Sequence, residues 1–244
     1  MPKIYKVGGC VRDMILGIEP KDIDYTFVVD PTIKSVDEGL QSMIQYLRDN
    51  KYRIFLVTES AYTIRARIPY EDIVADFVMA RKEIGYIPNT RTPILEIGTL
   101  EDDLRRRDFT VNAMAIDDNG NLIDLFNGCE HLKHKLLVTP LDPKVTLMDD
   151  PLRILRAIRF SITKKFNISN EIFEAMSQPE ILQKLSVTVS IERIREELLK
   201  MMQYDTSTTI RVLTMVDKDL IPGLLDFVFQ RGLWLKPTFE KKKI

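Results

Sequence analysis

Two short segments near the start of the chain carry residue types that bind phosphate and divalent cations. The first is Gly8-Gly9-Cys10-Val11-Arg12-Asp13, in which two glycines follow an apolar strand and precede a helix. Glycines let backbone amides approach a triphosphate, a helix N-terminus is partially positive, and Arg12 adds a full charge. The second is Asp22-Ile23-Asp24, whose two carboxylates share one face of a strand and can hold cations that bridge phosphate oxygens. An isolated Asp-x-Asp pair is more often a solvated turn, but the preceding glycines and arginine favour a site.

A second cluster combines basic, acidic and amide side chains in Arg105-Arg106-Arg107-Asp108-Phe109-Thr110-Val111-Asn112-Ala113. If residues 108–115 form a helix, Asp108 and Asn112 lie four positions apart on one face. There they could hydrogen-bond ribose hydroxyls while an adjacent arginine meets phosphate. The alternative is a surface charge cluster in which Asp108 caps the helix. These residues alone leave both interpretations open.

A third cluster lies in Asp149-Asp150-Pro151-Leu152-Arg153-Ile154-Leu155-Arg156-Ala157-Ile158-Arg159-Phe160. At 100° per residue, Arg153, Arg156 and Arg159 point away from the apolar arc, and Asp150 lies beside Arg153. A guanidinium fork and a carboxylate can pair with the hydrogen-bonding edge of a base in a dry pocket. The alternative is a solvated helix face with surface salt bridges.

The first half of the chain must supply strands and helices in alternation to position these residues. Apolar and β-branched runs predict strands over 4–7, 22–29, 52–57, 61–68 and 73–79. Helices are predicted from the Gly-Gly turn to Gly17 and over 35–48. Residues 82–98 hold two prolines, two glycines and no clear period, which predicts a long functional loop. These elements indicate a mixed sheet with helices.

The second half of the chain has helical spacing. A helix is predicted to begin near Asp149 or Asp150, with Pro151 in its first position. Ser190 could cap another helix that buries Ile191, Ile194, Leu198 and Met202, and a third helix is predicted over 211–225. Pro140 and Pro143 mark a boundary near 139–147. The predicted organisation is therefore a head over 1–138, a helical neck over 139–205 and a short helical segment with a basic tail over 206–244.

The composition excludes several classes of protein. The net charge is −1, with 45% hydrophobic and 29% charged residues, which excludes disordered, collagen-like and polycationic chains. Cys10 and Cys129 give neither a disulfide framework nor zinc-ligand spacing, as a reducing compartment allows. No apolar run approaches the ~20 residues that span a bilayer, and the first residues do not resemble a secretory signal. We therefore expect a cytoplasmic protein with no membrane role.

Taken together, these segments resemble the class II tRNA nucleotidyltransferases, which comprise the bacterial-type CCA-adding enzymes and the related bacterial poly(A) polymerases. Five segments resemble the motifs of this family in order: 8–24, 103–113, 124–128, 150–160 and 189–198. The resemblance implies an α+β fold, with a polymerase beta-like nucleotidyltransferase head built on a mixed sheet and an all-α neck. It also implies an enzyme that adds C, C and A from CTP and ATP to the 3′ end of tRNA and releases pyrophosphate.

The resemblance also assigns roles to individual residues. Asp22 and Asp24 would bind two catalytic magnesium ions, and Asp76 is the expected third acidic group, from its position in a strand. The remaining expected nucleotide-binding residues are Gly8, Gly9, Arg12, Arg107, Asp108, Asn112, Asp150, Arg153, Arg156 and Arg159. Among these, Asp150 and Arg153 would choose between CTP and ATP. Arg81 and the segment up to Gly98 resemble a flexible loop that helps the switch from CTP to ATP.

Some features depart from the family pattern and leave more than one function open. Asp149 stands where the family usually has glutamate, and His131 where an aspartate often precedes leucine. Family members continue into body and tail domains, so we expect a reduced tRNA grip. It is confined to the acceptor stem, uses the basic C-terminus as a phosphate contact, or is supplied by a second subunit of a homo-oligomer. A poly(A) polymerase or A-adding enzyme shares all five motifs, but residues 53–68 lack the basic Gly-Arg-Arg-Phe-type run expected of it. The sequence also leaves open a transferase that acts on a non-tRNA acceptor and an inactive RNA-binding module.

Overall fold

The chain divides into two units, and a computed structural model describes residues 1–86 and 93–229. The first unit is Met1–Leu132, and the second begins at Lys133. In the part of the chain that is described, no helix is long and apolar enough to cross a membrane.

The first unit is built on a seven-stranded mixed sheet in the order β3-β4-β5-β2-β1-β8-β9. Its strands are β1 Lys3–Val7, β2 Ile23–Val28, β3 Arg53–Thr58, β4 Thr63–Arg67, β5 Val74–Met79, β8 Met114–Ile116 and β9 Leu122–Asp124. Its helices are α1 Gly9–Ile15, α2 Val36–Asp49, α3 Leu100–Arg105 and α4 Gly128–Lys133. The pair β2–β5 is parallel, and the other neighbouring strands of this sheet pair antiparallel. The predicted elements between residues 4 and 79 are present, with ends shifted by one or two residues.

The two faces of this sheet differ because strand side chains alternate. On one face, α2 packs its buried Leu40, Met43 and Leu47 against a core that includes Phe27 and Phe77. Ser35 begins this helix, since its side chain accepts a hydrogen bond from the backbone amide of Glu38. The opposite face is covered near β1 by a smaller cluster around Val7 and Leu104. Asp24 and Thr26 alternate with the core residues of β2 and therefore lie on this second face.

One prediction for the first unit is wrong, and one helix considered for it does not form. The segment 82–98 is not one loop, because β6 (Arg81–Tyr86) and β7 (Pro93–Ile97) pair antiparallel, while residues 87–92 lie outside the described part. These two strands are held by hydrogen bonds between their backbones, which do not require a periodic pattern of apolar side chains. Residues 108–115 are not an α-helix, since a 3₁₀ turn at Thr110–Asn112 is followed by β8. The free edge of β1 pairs with β8, and this tertiary pairing overrides the helical spacing.

The second unit is mainly helical. Its helices are α5 Pro143–Asp149, α6 Arg153–Thr163, α7 Asn170–Met176, α8 Pro179–Thr188, α9 Ile191–Tyr204, α10 Thr206–Met215 and α11 Leu224–Phe229. A short parallel pair, β10 (Leu136–Leu137) with β11 (Asn167–Ile168), is the exception to the predicted all-α character.

Several details of the helical prediction need correction. The predicted boundary near 139–147 contains a helix, α5, in which Asp142 is the N-cap and Pro143 is the first residue. The next helix, α6, begins at Arg153 and not at Pro151. Met201 is buried in α9, whereas the spacing predicts Met202. The helix predicted over 211–225 is divided into α10, a π turn over Val216–Leu220 and α11, and Gly223, with a positive φ of 84°, lies in the break before α11.

Candidate functional site

Two of the three predicted acidic residues, Asp24 and Asp76, line a cleft on the second face of the sheet. Asp24 on β2 and Asp76 on β5 are register partners on neighbouring parallel strands, and the exposed Asp22 directly precedes β2. The cleft has a volume of about 500 Å³. Its lining residues are Val7, Asp24, Tyr25, Leu56, Thr58, Thr63, Arg65, Asp76, Val78, Arg106 and Arg107. The structure therefore brings carboxylates and arginines to one cavity.

Asp24 is the carboxyl group most affected by this environment. Burial raises its pKa, and the nearby charges of Asp76 and Asp22 raise it further, while Arg107 opposes them. Carboxylates that crowd one another in this way favour a cation, and Mg²⁺ takes one or two carboxylates together with substrate phosphates. Among the described residues no cluster of three or more acidic, His or Cys side chains is arranged as a metal cage. The carboxylate oxygens of Asp22 and Asp24 are nevertheless the type of donor that Mg²⁺ takes.

Asp76 has a partner that sequence reasoning missed. Arg65 on β4 is its register partner, and its Nε and Nη2 donate to the two carboxylate oxygens at 2.8 and 2.7 Å. This bidentate geometry fixes the carboxylate and supplies a positive charge beside Asp24. Only the pairing of β4 with β5 reveals the contact, because the two residues are 11 positions apart.

The Gly-Gly turn lies directly against Arg107. Gly8 has φ +81°, and a Cβ added there would lie 2.7 Å from Nη1 of Arg107. Gly9 is the first residue of α1, and a Cβ there would lie 3.4 Å from Nη2 of Arg12. The turn therefore requires glycine at position 8 both for its backbone conformation and for the close approach of the guanidinium group.

Arg107 is held from below by Asp103, a second residue to which the sequence assigns no role. Asp103 is fully buried and accepts hydrogen bonds from Arg106, from Nη2 of Arg107 at 2.8 Å and from Oγ1 of Thr26 at 2.7 Å. Burial alone would raise the pKa of Asp103, but the two arginine charges and these hydrogen bonds outweigh it and lower that pKa. Asp103 is therefore an ionised anchor beneath the cleft.

Arg12, Asp108 and Asn112 form a buried polar network. Nη1 of Arg12 donates to Oδ1 of Asn112 at 2.6 Å, and Nδ2 of Asn112 donates to Oδ1 of Asp108 at 2.9 Å. Arg12 also pairs with Asp13. The structure thus brings together the predicted phosphate-binding arginine and the two predicted sugar-binding residues, although no α-helix joins positions 108 and 112.

The predicted base-reading residues lie in the second unit, at the start of α6. The carboxylate of Asp150 accepts hydrogen bonds from Arg193 at 2.7 and 3.3 Å, and Nη1 of Arg153 donates to the carbonyl of Thr146 at 2.9 Å. The positions of residues along α6 did not predict this contact, because Arg193 belongs to another helix, α9. It ties one predicted base-reading residue to the neighbouring helix.

The other two arginines of this polar face bind a buried acid. Arg159 donates through Nε to Glu197 of α9, and Nη1 of Arg156 lies 3.8 Å from the same carboxylate. Lys200 completes the cluster at 3.4 Å. The Glu197 side chain is only 3% exposed, so the cluster fastens α6 to α9.

The comparisons with known proteins agree with this fold and with the ordered motifs. The family model described as "Poly A polymerase head domain" matches residues 4–138, more than half of the chain. The chain therefore belongs to the poly(A) polymerase head domain family, and both the predicted family resemblance and the predicted fold class are confirmed.

Individual relatives bear more specific names. The chain is 36% identical over 205 residues to the CCA-adding enzyme of Lactobacillus helveticus, covering 81% of this chain and 45% of the relative. It is 33% identical over 226 residues to that of Bacillus pumilus, covering 90% and 51%. A crystal structure of a tRNA nucleotidyltransferase complexed with a primer tRNA and an incoming ATP analogue is 27% identical, with a TM-score of 0.70, covering 94% of this chain and 60% of that one. The chain thus spans about half the length of the curated relatives it matches.

Proposed function

We propose that this chain is a CCA tRNA nucleotidyltransferase, which adds C, C and A from CTP and ATP to the 3′ end of tRNA and releases pyrophosphate. The observation that carries the proposal is the cleft in which Asp24 and Asp76 face Arg107 below the Gly8 turn. Its relatives named as CCA-adding enzymes support the choice of substrates. The proposed setting is the cytoplasm, where tRNA and nucleotides are available.

The proposed reaction is an in-line attack of the RNA 3′-hydroxyl on the α-phosphate of the nucleotide. Asp22 and Asp24 would hold magnesium. When bound, such ions lower the pKa of a hydroxyl and neutralise a leaving pyrophosphate. Asp76 lies next to Asp24 and is the third carboxylate of the proposed site. No covalent enzyme intermediate is required, since positioning and charge neutralisation carry most of phosphoryl transfer.

The other head residues would position the nucleotide. Gly8 and Gly9 leave space for the triphosphate, and Arg107 presents a guanidinium group that Asp103 holds in place. The Arg12–Asn112–Asp108 network fixes the amide and the carboxylate that would meet the sugar. Because this network is buried and fully connected, its groups are pre-organised and lose little freedom when a nucleotide binds.

The helical unit would choose the base. We assign this choice to Asp150 and Arg153, with Arg156 and Arg159 beside them, because a carboxylate and a guanidinium together match the donors and acceptors of a base edge. Residues 1–138 are the proposed head, 139–205 the neck, and 206–244 a C-terminal segment. The tRNA acceptor end is the proposed partner, and a homo-oligomer would supply further contacts to it.

Poly(A) polymerase is the second candidate, because the family model that matches the head bears that name. One assay separates the two. Purified protein and magnesium are incubated with tRNA transcripts that end before, within and after CCA, with CTP, ATP or both, and product length is read to one nucleotide. Three additions that stop at CCA support CCA addition, open-ended adenylation supports the polymerase, and no addition to any tRNA contradicts both.

The same assay tests the carboxylates. Asp24→Asn should abolish incorporation and leave the fold intact, since the pKa of Asp24 is already raised by burial and a neutral amide is tolerated there. Asp118→Asn removes the same charge from an exposed turn and is the matched control. Near-full turnover by the Asp24 variant would contradict the assignment of the site.

A further inference from the structure

The outer strands of the sheet carry a second basic surface beside the cleft. Arg53 on β3 pairs in register with Arg67 on β4, and Arg65, two positions from Arg67, pairs with Asp76. Residues directly opposite in an antiparallel pair share a face, as do residues two apart on one strand. Arg53 and Arg67 therefore lie on the same side of the sheet as Asp76. With Phe55, they are called here the arginine face.

The arginine face is open to solvent. Phe55 is 46% exposed, and its neighbours Leu56 and Val74 are 55% and 42% exposed, whereas Ile64 and Ala66 on the opposite side of β4 are completely buried. Phe55 is also the extra residue of a β-bulge, because Ile54 pairs with Ala66 and Leu56 with Arg65. Bulges redirect a side chain, and here both guanidinium groups lie close to the redirected ring.

The charges of this face are not balanced by strong ion pairs. The guanidinium carbons of Arg53 and Arg67 lie 5.4 and 5.7 Å from the centroid of Phe55. Like charges directly opposite on neighbouring strands are destabilising. Arg67 pairs with Asp72 at 3.1 Å, but that carboxylate is 91% exposed, and exposed pairs contribute little. Among the described residues no carboxylate pairs with Arg53, so an anion placed between the two arginines would relieve their repulsion.

Protection of the sheet edge does not account for this arrangement. Charged residues on an outermost strand discourage pairing with another chain, and Arg53 on β3 fits that role. Arg67, however, lies on β4, an interior strand whose edges are both paired. Edge protection therefore explains Arg53 but not Arg67.

We propose that the arginine face binds the phosphate backbone of the RNA substrate just upstream of its reacting 3′ end. Arg53 lies two strands away from Asp76, across β4, and is offset by two residues along the strand direction. At the usual spacings of a sheet this places Arg53 about 12 Å from Asp76. At about 3.4 Å per nucleotide in a stacked strand, this corresponds to no more than about four nucleotides from the reacting hydroxyl. A single strand that leaves the carboxylates across β4 meets Arg67 and Arg53 in turn. The inference rests on the proposed function and adds to it a contact for the RNA strand.

The test measures the affinity of the full chain for a single-stranded RNA oligonucleotide by fluorescence anisotropy at about 50–200 mM salt. Each phosphate contact contributes about 0.7 to the slope of log affinity against log salt for single strands. Arg53→Ala combined with Arg67→Ala should therefore lower the slope by about 1.4. The wild type should then lose about sevenfold more affinity than the variant across this range of salt.

A charge reversal keeps the test independent of folding. Arg53→Glu converts the like-charged pair with Arg67 into an opposite pair, so we expect its melting temperature to be unchanged or higher while its RNA affinity falls. Arg48→Glu is the matched control, because Arg48 is exposed at the end of α2, which packs on the other face of the sheet. RNA affinity of this control should stay within twofold of the wild type.

The outcomes separate this inference from the proposed function. If the wild type extends tRNA and the arginine variants bind RNA with the wild-type salt slope, the inference is wrong and the function stands. If the wild type neither binds RNA nor extends it, both are wrong. A change of oligomeric state in Arg53→Glu, with RNA affinity unchanged, would assign the face to contact between copies of this chain and overturn the RNA assignment.

Discussion

The buried carboxylate of Asp103 gives the sharpest test of how the cleft is supported. Asp103→Asn keeps the shape of the side chain but removes the negative charge that faces Arg106 and Arg107 and one of the oxygens that accept hydrogen bonds there. Removing one partner of a buried ion pair costs about 3–5 kcal/mol, because the remaining charge is left uncompensated. Asparagine retains one acceptor oxygen, so we expect a loss at the lower end, about 3 kcal/mol. For a chain of this size this corresponds to a melting temperature about 6–12 °C lower.

Urea unfolding followed by circular dichroism measures this difference at neutral pH. Asp118→Asn, an identical change on an exposed turn, should alter stability by less than about 0.5 kcal/mol. The support assigned to Asp103 is refuted if the two variants are equally stable.

Acidification gives an independent measurement of the same residue. The folded-state pKa of Asp103 is depressed, so its ionisation stabilises the fold above the unfolded-state pKa of about 3.9, and that contribution is lost as pH falls further. The stability gap between wild type and Asp103→Asn should therefore be constant from about pH 5 to 8 and become smaller below about pH 4. A gap that does not change down to about pH 3 would mean that the loss comes from shape and not from charge.

Three further variants test other parts of the molecule. Gly8→Ala should destabilise the fold by at least about 1–2 kcal/mol and reduce nucleotide addition more than tenfold, because the positive φ at position 8 is unfavourable for a residue with a β-carbon and the added carbon would displace Arg107; unchanged turnover would contradict this. Glu197→Gln should lower stability by about 3 kcal/mol, measured by urea unfolding, whereas Glu196→Gln at an exposed position should have no effect; equal stabilities would contradict the bracing role. Arg153→Ala should increase misincorporation in single-nucleotide assays more than it weakens overall binding, and an equal loss of CTP and ATP use without misincorporation would exclude a role in base choice.

The sequence predicts local elements better than it predicts pairings. The helix over 36–49 follows from a capping serine and the spacing of its buried residues, and α6 follows from a similar apolar arc. The helix considered over 108–115 does not form, because the three residues of β8 pair with the edge that β1 offers. The β6–β7 pair escapes prediction for a different reason, since its two strands form a separate two-stranded sheet by pairing with each other. Strand pairing, and not propensity, decides both segments.

For the site, the sequence identified the functional side chains but not their partners. The proximity of Arg12, Asp108 and Asn112 agrees with the prediction that these residues act together, while their roles in binding remain predictions. The pairs of Arg65 with Asp76 and of Arg193 with Asp150 have no sequence signal. Each of these pairs joins residues on different elements, so its geometry depends on strand register or helix packing. A single sequence does not encode such contacts as a local pattern.

The place of β1 in the sheet has a consequence for the order of folding. The strand is among the first residues of the chain, yet it lies between β2 and β8, and the hydrogen bond from Arg12 to Asn112 spans 100 positions. During synthesis, β1 and β2 can form an antiparallel pair early, but one edge of β1 stays unpaired until β8 has left the ribosome. Long-range closures of this kind are slow because the chain entropy is lost before the contact is gained. The buried network of Arg12, Asp108 and Asn112 is therefore among the last parts of the head to form, and a nascent chain in which residues 114–116 have not yet emerged would present an open strand edge to chaperones or to other chains.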